Sequence, residues 1–497
     1  MVIISKTNWR TTIKTATIIL KDEVNAKIEG LELTTRKKLE AKFKFFLPYA
    51  RHVPSYKLGR WDGCERYFTI GGITFVSLLE TAIPIIIEDG YQIELDDLRT
   101  HNKLEFDLVD ESTFQHKVWP AKHRFEGQPV TLRDYQIEIV NKFVETPQCL
   151  QEIATGAGKT LITAALSYKA EKYGRSIVIV PNKDLVNQTC ADYINLGLDV
   201  GVYFGDKKEF GRTHTICTWQ SLNVIRKRFK NGEQDWGLQD FAEDVVCIIV
   251  DEVHQAKADV LKDMLTKEFA NVPLRWGLTG TIPKAENEQM TLQVSLGNVV
   301  NRLAASELQD MGVLSNCHVN IVQMKEITDY TNYQSELTFL TTNAHRISYM
   351  GDLIKTISQS GNTLVLVDRI KAGEMLVDHI GGDTTFVKGA MKSTDRKDTY
   401  DEINEATNSI TIATYGVAAV GLNIPRIFNM VLIEPGKSFV RVIQSIGRGV
   451  RRADDKDFVE IYDFTSTAKF SKRHLTERKK FYKEANYPFS IEKVDYK

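Results

Sequence analysis

Apolar and polar positions follow two regimes along this chain. In residues 1–110 the periodicity is mixed. Residues 12–20 alternate like a strand. TTRKKLEAKFKFF at 34–46 predicts a helix with Thr34 or Thr35 as its N-cap. Residues 67–70 with Gly71 and Gly72 predict a strand and turn, followed by a helix near 74–81. From about residue 130 the pattern becomes regular. Short β-branched runs at 149–153, 176–180, 200–204, 214–218, 246–250 and 275–278 alternate with helical stretches. Runs without strict alternation are buried on both faces, as parallel strands are. A second set stands at 362–367, 384–387, 409–413, 430–433 and 459–463. Two such sets predict two doubly wound α/β domains, joined within 310–350. The expected division is a small basic α/β domain at 1–110, a first α/β lobe at 111–310, a second at 311–455, and a C-terminal strand and basic helical extension at 456–497.

Composition narrows the class. At 100–200 residues per domain, 497 residues make about three domains. An apolar fraction of 42% and a charged fraction of 26% exclude whole-chain disorder. No apolar run approaches the ~20 residues of a membrane span. The opening MVIISKTNWRTTIK has too short an apolar stretch for a signal-peptide core. The six Cys are scattered, with neither CxxC nor Cys/His ligand spacing. A reduced, cytoplasmic protein without disulfide framework or zinc site is therefore expected. The net charge is −1, yet local charge is uneven: residues 1–70 carry 14 Lys/Arg against 7 Asp/Glu, residues 80–111 carry 2 against 10, and residues 466–483 carry 7 against 1. Such segregation either steers a polyanion to one face or marks solvated faces of small domains.

Two segments carry phosphate chemistry. After the strand at 149–153 comes ATGAGKT, then the helical LITAALSYKAEKY. Gly156 and Gly158 let backbone N–H groups of the loop Thr155, Gly156, Ala157, Gly158 point at phosphate oxygens, and the helix start adds partial positive charge. Lys159 can reach the β- and γ-phosphates and the Thr160 hydroxyl can ligate Mg²⁺. Ile153 stands where a strict GxxxxGK[ST] loop has its first Gly. The second segment is VVCIIV followed by DEVH at 251–254. Asp251, at a strand end, suits Mg²⁺, largely through water. Glu252 suits orientation or deprotonation of an attacking water.

With LRDYQ at 132–136, IVPNKDLVNQ at 179–188, CTWQSL at 217–222, LTGT at 278–281, TLVLVD at 363–368, IATYGVAAVGLNIP at 412–425 and QSIGRGVR at 444–451, the chain resembles superfamily 2 helicases across residues 130–455. The whole chain looks most like the fork-remodelling helicases of T-even phages. The resemblance implies two tandem RecA-like lobes and ATP hydrolysis with Mg²⁺. Gln136 would read adenine, and Gln444 would join the nucleotide site. Arg448 and Arg451 would meet the γ-phosphate from the second lobe, one as finger and the other as clamp. His254, Thr279 and Thr281 would relay nucleotide state, with an ordinary loop histidine as the alternative for His254. Asn423 replaces an Asp that many relatives carry.

The resemblance also implies a track for one strand's phosphates along Lys183, Thr218, Gln220, Arg369 and Thr414. Phosphate contacts fix register without reading sequence, so loose sequence preference and strong salt dependence are expected. Trp219 is expected to pack beneath its loop, with base stacking as the alternative. Lys38 and Lys42 share a helix face at i and i+4, either as a wedge on branched DNA or as a solvated surface. The basic helix at 466–483 either covers duplex or packs across the lobes. Implied partners are branched DNA, single-stranded DNA and RNA–DNA hybrid, with single-strand-binding or recombination proteins and no membrane. The rival readings are an RNA helicase and an ATP-gated annealing or clamp protein.

Overall fold

The computed structural model describes residues 14–496 apart from 101–103, 122–124, 210, 254–257, 383, 389–401, 422–423, 425, 439–445, 448–449, 451–452 and 454. Three sheets organise these residues, with a two-stranded ribbon beside the first. The N-terminal sheet runs Ile73–Phe75, Asn25–Glu29, Lys14–Leu20, Tyr91–Asp97, and its last pair is parallel. Ala16, Ile18, Ala26 and Ile28 alternate inward beneath the helices Leu33–Lys42 and Leu79–Glu88.

Several N-terminal expectations are corrected. The helix expected over 34–46 spans Leu33–Lys42, with Glu32 at its N-cap position. Thr35 lies inside the helix, buried, with its hydroxyl donating to Asp89 Oδ2 at 2.6 Å. Lys44–Phe46 instead pairs antiparallel with Cys64–Arg66. Basic and aromatic residues continue the helical pattern past Lys42, but the ribbon offers backbone partners that a longer helix would forgo. Residues 67–70 form a bend rather than a strand; the strands are Cys64–Arg66 and Ile73–Phe75, and the helix expected at 74–81 starts at Leu79.

The first large sheet has the order Lys207–Lys208, Val200–Phe204, His214–Thr218, Arg175–Val180, Val245–Asp251, Leu274–Thr279, Gln148–Ile153, Asn298–Leu303. All pairs are parallel except the short first one. All six predicted strands are present, each within a residue or two of its expected ends. The edge strands Lys207–Lys208 and Asn298–Leu303 went unpredicted, being too polar to make an apolar run. The second large sheet is wholly parallel, in the order Thr385–Val387, Ile410–Thr414, Thr363–Val367, Asn429–Ile433, Phe458–Ser466, Asn316–Met324, Phe489–Val494. Its five predicted strands are joined by Asn316–Met324 and Phe489–Val494. The C-terminal segment is thus part of the second lobe's sheet, with helix Lys469–Glu484 lying on it.

One apolar cluster runs through both lobes, from Ile153, Val178 and Ile249 to Leu314, Tyr415, Ile446 and Val450. Helix Tyr415–Gly421 of the second lobe packs on helix Lys183–Asn195 of the first. The N-terminal domain docks on the first lobe through Val294 and Met290, a Tyr67–Thr291 hydroxyl contact at 2.8 Å, and Asn25 Nδ2 donating to Thr266 O at 2.9 Å. No helix among the described residues is long and apolar enough to cross a membrane.

Candidate functional site

Parallel strands deliver their carboxyl ends to one edge, and the next helix starts there. In the first lobe, Ile153, Asp251 and Thr279 end neighbouring strands. The loop after Ile153 turns at Gly156 (φ +93°) and Gly158 (φ +80°) and enters helix Lys159–Ala170. A Cβ at Gly156 would meet Leu314 Cδ2 at 2.6 Å, and one at Gly158 would meet Gln136 Nε2 at 2.6 Å. Both positions therefore need the missing side chain and the left-handed backbone. Thr160 occupies the second position of that helix, half-buried.

Lys159 Nζ stands 2.7 Å from Glu252 Oε1, with both side chains nearly buried. It also donates to Ile153 O at 3.4 Å. Glu252, at φ +51°, accepts from Gly280 N at 3.1 Å on its other oxygen. Asp251 Oδ1 accepts from Glu252 N at 2.9 Å. A Cβ placed on Gly280 would lie 3.1 Å from Thr155 Oγ1, 3.5 Å from Lys159 Nζ and 3.8 Å from Glu252 Oε2. The phosphate loop, the acidic box and LTGT thus converge on a glycine that the sequence reading passed over between Thr279 and Thr281. Thr279 Oγ1 donates to Thr281 O at 2.9 Å, and Thr281 Oγ1 is buried without a hydrogen-bond partner among the described residues.

Gln136 is buried with its carboxamide engaged: Nε2 donates to Ala157 O at 3.0 Å and Oε1 accepts from Arg133 N at 3.0 Å. Tyr135 donates to the same Ala157 carbonyl at 3.0 Å, and burial pushes its phenol up, keeping it a donor. The LRDYQ segment therefore braces the phosphate loop through two side chains, of which the sequence reading singled out one.

The second lobe reaches this cradle. A Cβ on Gly447 would stand 3.1 Å from Thr155 Cβ. His254, Asn423, Gln444, Arg448 and Arg451 lie outside the described residues. Among the described residues no group of three or more His, Cys, Asp or Glu is gathered as a metal cage. Thr160 and Asp251 suit Mg²⁺, which takes few protein ligands and completes its shell with phosphate and water oxygens.

The expected nucleic-acid residues lie at the same strand edges. Val180 and Thr218 are register partners, and Lys183 and Gln220 follow them, exposed. Gln220 Nε2 donates to Pro181 O at 3.4 Å. Thr218 is buried and caps helix Trp219–Lys230, accepting from Ser221 N at 3.3 Å. Val367 and Thr414 are likewise partners in the second lobe. Arg369 Nη2 donates to Gln334 Oε1 at 2.8 Å, and Thr414 Oγ1 accepts from Val417 N at 3.4 Å. Trp219 packs partly buried against the core of the first lobe, as expected. Lys38 and Lys42 are both exposed; Lys38 Nζ lies 2.5 Å from Asp89 Oδ1. The basic C-terminal helix turns part of its charge inward. Arg478 is fully buried, donating from Nε and Nη2 to Asp463 at 2.8 and 2.9 Å and from Nη1 to Gly436 O at 2.8 Å.

Comparison with known proteins agrees with this geometry. Residues 129–284 match the family described as "Type III restriction enzyme, res subunit", and residues 345–453 match "Helicase conserved C-terminal domain". The chain is 22% identical over 472 residues to the ATP-dependent DNA helicase uvsW of Enterobacteria phage T4, covering 90% of each. It is 23% identical over 381 residues to the DNA 3'-5' helicase XPB of Kineococcus radiotolerans, covering 73% of this chain and 65% of the relative. The fold is shared with S. cerevisiae Dbp5 bound to RNA and ADP BeF3, at TM-score 0.52 and 15% identity over 73% of this chain and 94% of that one. Two RecA-like lobes, each matched by its own family and closed on a phosphate loop and an acidic box, place the chain among the superfamily 2 ATP-dependent helicases.

Proposed function

We propose that this chain is a DNA translocase that remodels branched DNA: Holliday-junction branch migration, fork regression and R-loop unwinding in recombination, repair and replication. The observation that carries the motor is the convergence of Lys159, Glu252 and Gly280 in one lobe, with Gly447 of the other against Thr155. The branched substrate rests on the similarity to uvsW along 90% of the chain.

In this reading the Lys159 ammonium moves from Glu252 to the β- and γ-phosphates of ATP. Glu252, released, orients the attacking water through a carboxylate that Gly280 N holds in place. Thr160 and Asp251 would hold Mg²⁺, which when bound would supply positive charge beside the phosphate oxygens. Arg448 and Arg451, one and four positions after Gly447 in the sequence, are the groups this reading assigns to the triphosphate from the second lobe. Their charge counts only when the lobes are closed, so hydrolysis alters the closure equilibrium and shifts whatever strand both lobes hold. Lys183 and Gln220 on one lobe and Arg369 on the other are the residues for that strand, with the helix N-termini capped by Thr218 and Thr414 beside them. Gln136 and Gln444 complete the nucleotide site, and His254, Thr279 and Thr281 connect it to the track.

The fold alone does not separate DNA from RNA, since Dbp5 shares it. ATPase stimulation compared across single-stranded DNA, forks, four-way junctions, RNA–DNA hybrids and RNA tests the reading. Junctions and forks are expected to stimulate most. Stimulation by RNA alone would make it an RNA helicase, and nucleotide binding without turnover would make it an ATP-gated clamp.

A further inference from the structure

A cleft of about 750 Å³ lies away from the phosphate loop, between the N-terminal domain and the first lobe. Tyr49, Trp61 and Glu65 line it from the N-terminal side; Trp219, Asn223 and Lys227 on helix Trp219–Lys230, and Asp259 and Lys262 on helix Ala258–Thr266, line it from the other. We propose that this cleft holds one or two unpaired DNA bases, stacked on Tyr49 and Trp61, with their phosphates on a basic rim. The proposal rests on the DNA-motor reading and names where that motor takes an unpaired segment.

Three observations support it. The first is aromatic surface. Tyr49 is 52% exposed and Trp61 half-buried, on an excursion between Leu47 and Cys64 that also exposes Leu58. Trp219 lines the opposite side, and its indole N–H is buried with no acceptor among the described residues. Bases stack on aromatic faces irrespective of sequence, which suits a motor that must pass any sequence. The second is the division of charge. Inside the cleft, charges are largely matched: Lys262 pairs with Glu65, and Arg226 with Asp263 and with Glu268 at 2.6 Å, leaving Asp259 and Asn223 to meet base amino and ring groups. At its edge the charge is cationic. Arg51, Lys57 and Arg60, close to the two aromatics in sequence, are exposed, and on the facing helix Lys227 at the cleft and Lys230 one turn on are exposed. A matched interior with a cationic rim fits bases inward and phosphates outward, and not a phosphate in the floor. The third is position. One lining helix starts directly after Thr218 of the expected DNA track, and the other starts six residues after Glu252. A strand leaving the track would meet this cleft, and its occupancy would bear on the helix that follows the acidic box.

The test uses the full-length chain and a single-stranded oligodeoxynucleotide carrying 2-aminopurine, with a blunt duplex of equal length as control. In the wild type, 2-aminopurine fluorescence should be quenched on binding. The double variant Tyr49→Ala/Trp61→Ala should lose that quench and bind the single strand at least tenfold more weakly, with duplex affinity within twofold. Single-strand affinity and quench retained in the variant would overturn the proposal, as would an equal loss for duplex. A thermal unfolding midpoint within a few degrees of wild type establishes folding. Should the variant not fold, photocrosslinking of a 5-bromodeoxyuridine oligonucleotide to the wild type replaces it: crosslinks at Tyr49, Trp61 or Trp219 support the site, and crosslinks confined to other segments refute it. Absence of DNA-stimulated ATPase in the wild type would instead sink the motor reading, so the two failures are told apart.

Discussion

At the scale of single residues, the ion pair between Lys159 and Glu252 is the most consequential contact in the molecule. Both side chains are about nine-tenths buried, where an ion pair is only weakly screened and unpaired charge is costly. Lys159→Ala removes the group proposed to meet the triphosphate and takes the ammonium away from Glu252. Expected is loss of ATP turnover by at least three orders of magnitude, read by phosphate release; turnover at the wild-type rate would refute the loop assignment. Glu252→Gln keeps the shape and the Gly280 contact. It should retain ATP binding while losing turnover, which filter binding and phosphate release separate. A different residue sets an acid limit. His474 is packed edge-on against Tyr333, ring centroids 4.6 Å apart, and burial together with nearby Arg478, Lys437 and Arg473 pushes its imidazole down from 6.5 to about 4. Between these values the unfolded chain holds the extra proton and the folded chain does not, so stability falls as pH drops from about 6.5 to about 4. The melting temperature should fall across that window, and His474→Gln should reduce the drop. Sequence pointed to Lys159, Asp251 and Glu252 because phosphate chemistry asks for those types in that order, and the structure brings Lys159 and Glu252 together. Sequence could not show the contacts of Gly280 or Tyr135, which arise where a strand end meets the acidic box and where a helix start meets the phosphate loop.

At the scale of elements, burial decided what was legible. VVCIIVD and TLVLV read as strands because both faces are covered and every position can be apolar. FSIEKV and NVVNRL lie at sheet edges, carry polar residues at exposed positions, and gave no such run. The basic helix Lys469–Glu484 was legible as a helix but not in which way its charges point, because charge alone does not reveal direction. Arg478 points into the lobe, where Asp463 and Gly436 O take its guanidinium. Arg478→Ala leaves a buried carboxylate unpaired and should cost about 3–5 kcal/mol, measured by urea unfolding. Combining it with Asp463→Asn should recover much of that loss. Additive penalties would mean that the two groups do not act as a pair.

At the scale of the whole molecule, the lobes meet through a continuous apolar cluster, and the Gly447 backbone lies against Thr155. That closeness gives Arg448 and Arg451 their proposed task. Arg451→Ala should leave ATP affinity within a few-fold and lower kcat by about 10³–10⁵, checked by nucleotide titration beside single-turnover hydrolysis. A loss confined to affinity would make Arg451 a binding group only.

The second lobe's sheet sets Asn316–Met324 between Phe458–Ser466 and Phe489–Val494. During synthesis, the nucleotide-cradling lobe has all its strands once Leu303 has left the ribosome, whereas its counterpart waits for Val494. Parallel pairing across so long a stretch of chain is slow to form. A nascent polypeptide therefore passes through a stage at which the first lobe has all its strands while the second still lacks its edge, so the second lobe is the later of the two to close.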